Sequence, residues 1–146
     1  FQILQGLETL GLRMERHCEN AEKLAEYLDK HEKVKWVKYA ALPDSPYHEV
    51  CKRITGGRAS GILSFGINGG SETGGQFIDA LKMILRLVNI GDAKSLACHP
   101  ASTTHRQFGY DELFAAGVSP DLVRISVGIE SIDDIIADVS QALDGV

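Results

Sequence analysis

The chain has 146 residues, 44% of them hydrophobic and 24% charged, with 20 acidic against 15 basic side chains and a formal net charge of -5. That is enough for one domain with a sizeable core, and the ordinary composition excludes disordered, collagen-like and low-complexity chains. The acidic balance argues against a nucleic-acid partner, and no apolar run reaches the ~20 residues of a membrane span.

The absence of a signal-peptide pattern predicts a soluble, cytoplasmic protein. The sequence begins at Phe1 rather than Met and leads at once into a helical pattern, which predicts a piece of a longer polypeptide. Cys18, Cys51 and Cys98 are odd in number and widely spaced, so neither a disulfide framework nor a cysteine zinc site is expected.

In chain order, Leu7, Leu10, Met14, Ala21, Leu24 and Leu28 recur at helical spacing and predict one long helix over residues 3–30. His17 stands where the stripe misses a step. At 1.5 Å per residue such a helix is about 40 Å long, suited to bridging toward another domain or subunit. The run Val34–Tyr39 is rich in β-branched and aromatic residues and reads as a strand. A short helix is expected over His48–Ile54, ending at Gly56-Gly57. Alternation over Gly61–Asn68 predicts a second strand, and Phe77, Ala80, Leu81, Ile84, Leu85 and Val88 a second amphipathic helix.

Residues 90–109 have no periodicity, and long irregular segments in compact domains are usually functional. Asp111–Ala116 reads as a short helix stopped by Gly117. The run Leu122–Ile129 alternates with Val123, Ile125, Val127 and Ile129 on one face. Ser131 and Asp134 suggest a capping box opening a final helix over Ile132–Leu143. Three or four strands with one apolar face each predict an α+β, two-layer sandwich, with a small, mostly antiparallel sheet and helices on one face.

Arg124 and Ser126 fall on the polar face of the last strand. A guanidinium held on a strand presents a rigid fork matched to a carboxylate. The segment Lys94–His105 is dense in hydrogen-bonding groups. His99 and His105 match no common zinc spacing, and no metal site is expected. Cys98 beside His99 is a poor nucleophile–base pair, because such partners meet in space rather than in sequence. Lys94 lacks an apolar surround to lower its pKa. The glycine pairs at 56-57, 69-70 and 74-75 lack the context of a phosphate loop.

Three stretches together carry a resemblance. They are Gln5-Gly6-Leu7-Glu8-Thr9-Leu10 with Arg13, His17, Asn20 and Ala21; Ser95-Leu96 followed by His99-Pro100-Ala101 and Thr104-His105; and Val123–Glu130. In this order they resemble the C-terminal part of the pyridoxal-phosphate-dependent Cys/Met metabolism (transsulfuration) enzymes. Asn89–Leu96 and Pro100–Gln107 are most similar to the O-acetylhomoserine sulfhydrylase branch. The γ-lyases and cystathionine γ-synthase usually carry Gly-x-Glu-Ser-Leu where this chain has Asp92-Ala93-Lys94-Ser95-Leu96.

The resemblance implies the small C-terminal domain of a fold-type-I enzyme, with residues 1–30 a connecting helix and 31–146 the sandwich. It implies pyridoxal 5'-phosphate held mainly by an N-terminal domain outside this chain, O-acetylhomoserine and sulfide as substrates, and a homotetramer. Arg124 would bind the substrate α-carboxylate, and Ser95 would help position that carboxylate or the cofactor lysine. No catalytic residue is assigned within 1–146, and Thr104, His99 and His105 would shape the loop. The alternatives are a cystathionine or methionine γ-lyase or cystathionine γ-synthase domain, or a stand-alone amino-acid-binding regulatory module.

Overall fold

A computed structural model describes all 146 residues. Its first 29 residues form two helices, α1 (Gln2–Glu8) and α2 (Leu10–Asp29), where one was expected. Thr9, at φ -108° and ψ 6°, leaves the helical basin between them. None of α1 is buried, whereas α2 buries His17, Cys18, Asn20, Ala21, Leu24, Ala25 and Leu28. Packing therefore supports α2 and gives α1 nothing.

Then follow β1 (Val34–Lys38), α3 (His48–Thr55), β2 (Ile62–Ile67), α4 (Ser71–Ala80), β3 (Leu85–Arg86) and β4 (Leu96–Cys98). A 3₁₀ turn (Pro100–Ser102), α5 (Tyr110–Ala115), β5 (Leu122–Ser126) and α6 (Ile132–Asp144) complete the chain. Gly56 closes α3 in the left-handed conformation, at φ 66°. The expected helix over 77–88 is displaced: α4 ends at Ala80, and Leu81 is already extended. Asp138 of α6 makes that end stable. Its carboxylate accepts the backbone N–H groups of Lys82, Met83 and Ile84 at 2.8, 2.9 and 2.9 Å. The 90–109 region is not irregular throughout, since it contains β4 and the 3₁₀ turn. The expected Ser131 cap makes no side-chain hydrogen bond. A carboxylate cap forms elsewhere, where Glu112 accepts the N–H of Gly109 at 2.8 Å.

The five strands form one sheet in the order β1-β2-β5-β4-β3, antiparallel except for the β3–β4 pair. The α+β sandwich is the architecture expected, with one strand more than the upper count. Leu63, Phe65 and Ile67 of β2, Val123 and Ile125 of β5 and Ala97 of β4 face one side. There they meet Leu24 and Leu28 of α2, Phe77 of α4, and Ile135, Val139 and Leu143 of α6 in a single 20-residue core. Ile129, beyond the end of β5, is 37% exposed rather than part of that face. All helices of the core lie on this side, so the opposite sheet face is left to Arg124 and its neighbours.

Candidate functional site

Residues paired directly across antiparallel strands point to the same face. Arg124 is opposite Ser64 on β2 and Cys98 on β4, and Lys38 is opposite Ser64. The open face therefore carries a row Lys38, Ser64, Arg124, Cys98 across four strands. A second row, Ile62, Ser126 and Leu96, lies beside it. The Arg124 backbone is held at the centre of the sheet by pairing with β2 on one side and β4 on the other.

Arg124 is half-buried and forms no ion pair. The other cations that are not fully exposed, Arg13 and Lys33, spend their donors on Thr9 and on the carbonyls of Leu143 and Val146. A half-buried, fork-shaped cation without an acid is suited to a carboxylate from outside the chain. Burial pushes the Cys98 thiol up, against the opposing pull of the Arg124 guanidinium. Cys98 is thus a protonated neighbour of the arginine rather than a thiolate nucleophile.

Ser95 is fully enclosed. Its hydroxyl donates to Glu130 Oε2 at 3.0 Å and accepts from the N–H of Gly128 at 2.8 Å, while its own N–H donates to Glu130 Oε1 at 2.6 Å. Gly128 is required here, because a methyl group would overlap the Glu130 carboxylate and come within 2.6 Å of Ser95 N. From the other side Asn20 Nδ2 donates to the carbonyls of Gly128 and Glu130, at 3.0 and 2.9 Å. His17 completes the seam: its Nδ1 lies 2.6 Å from the Val127 carbonyl, so that nitrogen carries the proton. The gap in the apolar stripe of α2 is explained by this bond.

The remaining loop candidates are internal fasteners. His99 is buried, with Nε2 donating to the Pro120 carbonyl and Nδ1 accepting from Ser102 Oγ, both at 2.8 Å. Thr103 Oγ1 donates to the His99 carbonyl at 2.8 Å. Thr104 Oγ1 lies 2.8 Å from His105 Nδ1, and the His105 ring stands edge-on to Phe108 at 5.2 Å. Lys94 is exposed, with its ammonium 3.2 Å from Asp92. No three His, Cys, Asp or Glu side chains gather in an arrangement that could hold a metal ion. No helix is long and apolar enough to cross a membrane.

Sequence reasoning passed over Glu130 and Asn20 as functional positions, although both lie in stretches it quoted. Their partners are 35 and 108–110 residues away, and no local spacing encodes that separation.

The family described as "Cys/Met metabolism PLP-dependent enzyme" matches residues 1–144. The homocysteine synthase of Schizosaccharomyces pombe is 51% identical over 144 residues, covering 99% of this chain and 34% of that protein. The O-acetyl-L-homoserine sulfhydrylase of Leptospira meyeri is 52% identical over 147 residues, 100% of this chain and 33% of the other. The crystal structure of a protein described as an O-acetylhomoserine (thiol)-lyase from Campylobacter jejuni, containing N'-pyridoxyl-lysine-5'-monophosphate, superposes with a TM-score of 0.90. It is 44% identical, and the match covers 97% of this chain and 34% of that one. The chain spans about a third of the length of the curated relatives it matches.

Proposed function

The chain belongs to the Cys/Met metabolism PLP-dependent enzyme family, and from that membership we propose that it is the C-terminal part of an enzyme that makes homocysteine from O-acetylhomoserine and sulfide. The observation that carries this reading is the half-buried Arg124 guanidinium, unpaired at the centre of the open sheet face. It binds the substrate α-carboxylate. Fixing the carboxylate fixes the direction in which the bonds at the adjacent carbon point, which is the orientation that chemistry at that carbon requires. Ser95 has both its donors committed to Glu130, so its part is to hold the loop beside Arg124 in place.

The residues of this chain do not fit pyridoxal phosphate by themselves. Seven of its eight lysines are exposed, and the eighth, Lys33, is spent on backbone carbonyls at the C-terminus. None stands enclosed in an apolar site. When bound, the cofactor supplies an electron sink for carbanions, and its lysine belongs to the polypeptide outside residues 1–146. On this reading residues 1–30 connect the two parts, residues 31–146 are the sandwich, and the full-length protein assembles as a homo-oligomer.

The test is Arg124→Lys in the full-length polypeptide loaded with pyridoxal phosphate. Loss of a bidentate, charge-assisted contact costs about 2–3 kcal/mol, so KM for O-acetylhomoserine should rise by roughly 30- to 150-fold. An unchanged KM would refute the carboxylate anchor. Supplying cystathionine or methionine alone, without sulfide, should give little turnover; efficient turnover would move the protein to the γ-lyase branch.

A further inference from the structure

Residues 89–95 run as a strap beside 126–130, along the edge of the open face. Four ties hold it. The N–H of Gly91 donates to Ser126 Oγ at 3.2 Å, the N–H of Ile129 to the Ala93 carbonyl at 2.9 Å, and the N–H of Gly128 to Ser95 Oγ at 2.8 Å. The fourth tie is the Ser95–Glu130 contact, in which one carboxylate takes both donors of one residue at 2.6 and 3.0 Å. It is the only charge-assisted tie of the four, and such bonds are shorter and roughly twice as strong as neutral ones. Asn20 braces the same residue from behind through the Glu130 carbonyl.

We propose that Glu130 is a positioning residue for the carboxylate site: through Ser95 it fixes the 89–95 strap against Ser126, two residues along β5 from Arg124 on the same face. This rests on the assignment of Arg124 as the carboxylate anchor. The strap contributes no side chain to the 20-residue core, and all of 89–94 except Asp92 is exposed. Releasing it therefore costs little of the apolar packing that holds the domain together. What it costs is the wall beside the guanidinium, because Gly91 is the strap residue bonded to Ser126. Glutamine at position 130 keeps the side-chain volume and one acceptor. It removes the charge, and its NH₂ group must donate to the Ser95 hydroxyl that formerly donated to the carboxylate, so the tie loses its charge-assisted strength while the fold is spared.

The experiment uses the full-length polypeptide loaded with pyridoxal phosphate and compares Glu130→Gln with Arg124→Ala and with Tyr39→Phe. The last removes a buried hydroxyl that donates to Ser60, outside the site, at 2.8 Å, and so reports a purely structural loss. In Glu130→Gln, KM for O-acetylhomoserine should rise about tenfold with kcat within about threefold of wild type. Amide hydrogen exchange should quicken by about tenfold or more in 89–95 while β2 and β5 keep their protection. A KM shift no larger than that of Tyr39→Phe, or unchanged exchange in 89–95, overturns the proposal. So does loss of the melting transition in Glu130→Gln, which would make the contact a pillar of the fold. Arg124→Ala separates the two readings. A normal KM there removes the carboxylate anchor itself, while a raised KM there with a normal one in Glu130→Gln removes only the role of Glu130.

Discussion

Gly66 of β2 shows how tightly one position is specified on the open face. It stands opposite Trp36 of β1, and the indole lies over it to donate from Nε1 to Asp121 Oδ2 at 3.2 Å. A methyl group at Gly66 would overlap the indole and come within 2.7 Å of the Asp121 carboxylate. Lys38 adds its ammonium 5.0 Å from the centre of the same ring. Gly66→Ala is therefore expected to destabilise the domain by about 1–3 kcal/mol, the usual cost of overpacking. Chemical denaturation reads this directly, and a variant as stable as wild type would mean that the Trp36 ring can move aside freely. The cysteines give a second test at this scale. All three are buried and unpaired, and burial pushes the thiols of Cys18 and Cys98 up. In the native domain a thiol reagent should label them far more slowly than in denaturant, with Cys98 rate-limited by opening of β4. Rapid native labelling of Cys98 would contradict its enclosure beside Arg124.

The elements that sequence reading found are those with a period. The alternation of β5, the stripe of α2 from Ala21 on and the apolar positions of α6 all come from one buried face, whereas Leu7, Leu10, Met14 and Ile129, which the same patterns included, are exposed. β3 and β4 left no such trace. Leu96, Ala97 and Cys98 are all buried, with Ala97 in the core and its neighbours on the opposite face, so burial on both sides erases the alternation. Leu85 and Arg86 are both exposed and become a strand only because β4 offers them a parallel partner. The apolar run to Val88 mimicked a helix for the same reason: its spacing is helical, but Asp138 and β4 take the backbone donors a helix would have used. In the site, Arg124 was legible because strand alternation fixes its face. The Glu130–Ser95 bond was not, because it depends on how two distant segments dock.

Asp138 also controls a pH dependence. Burial alone would raise its pKa, but the backbone donors of residues 82–84 and the Gln141 amide hold it below the ordinary aspartate range. A depressed folded-state pKa means stability fully present above the unfolded value of about 3.9 and lost as pH falls through the folded one. Asp138→Ala strands three backbone donors and should cost about 3 kcal/mol at neutral pH. That difference should shrink below about pH 4, in urea titrations across pH, as the wild-type carboxyl protonates. A gap that stays constant down to pH 2 would argue against the charged cap.

At the scale of the whole molecule, the apolar surface is distributed unevenly. Phe1, Ile3, Leu4, Leu7 and Leu12 are each at least half exposed, on α1 and the start of α2. A run of exposed apolar side chains of this kind marks an interaction surface. In the proposed full-length enzyme that surface meets the cofactor-bearing part or a neighbouring subunit. Residues 1–146 expressed alone are expected to fold, to show no turnover, and to retain no absorbance from added pyridoxal phosphate after desalting. A retained cofactor band would show that the chain holds the group by itself.

The break at Thr9 gives this surface a further consequence. α1 has seven residues and buries none of them, and a helix that short does not persist in water without support. Its folding and its docking are therefore a single event, governed by one equilibrium. Cleavage by a protease just before Thr9 would then act as a gauge of assembly, fast on the separate domain and slow once the partner surface is in place.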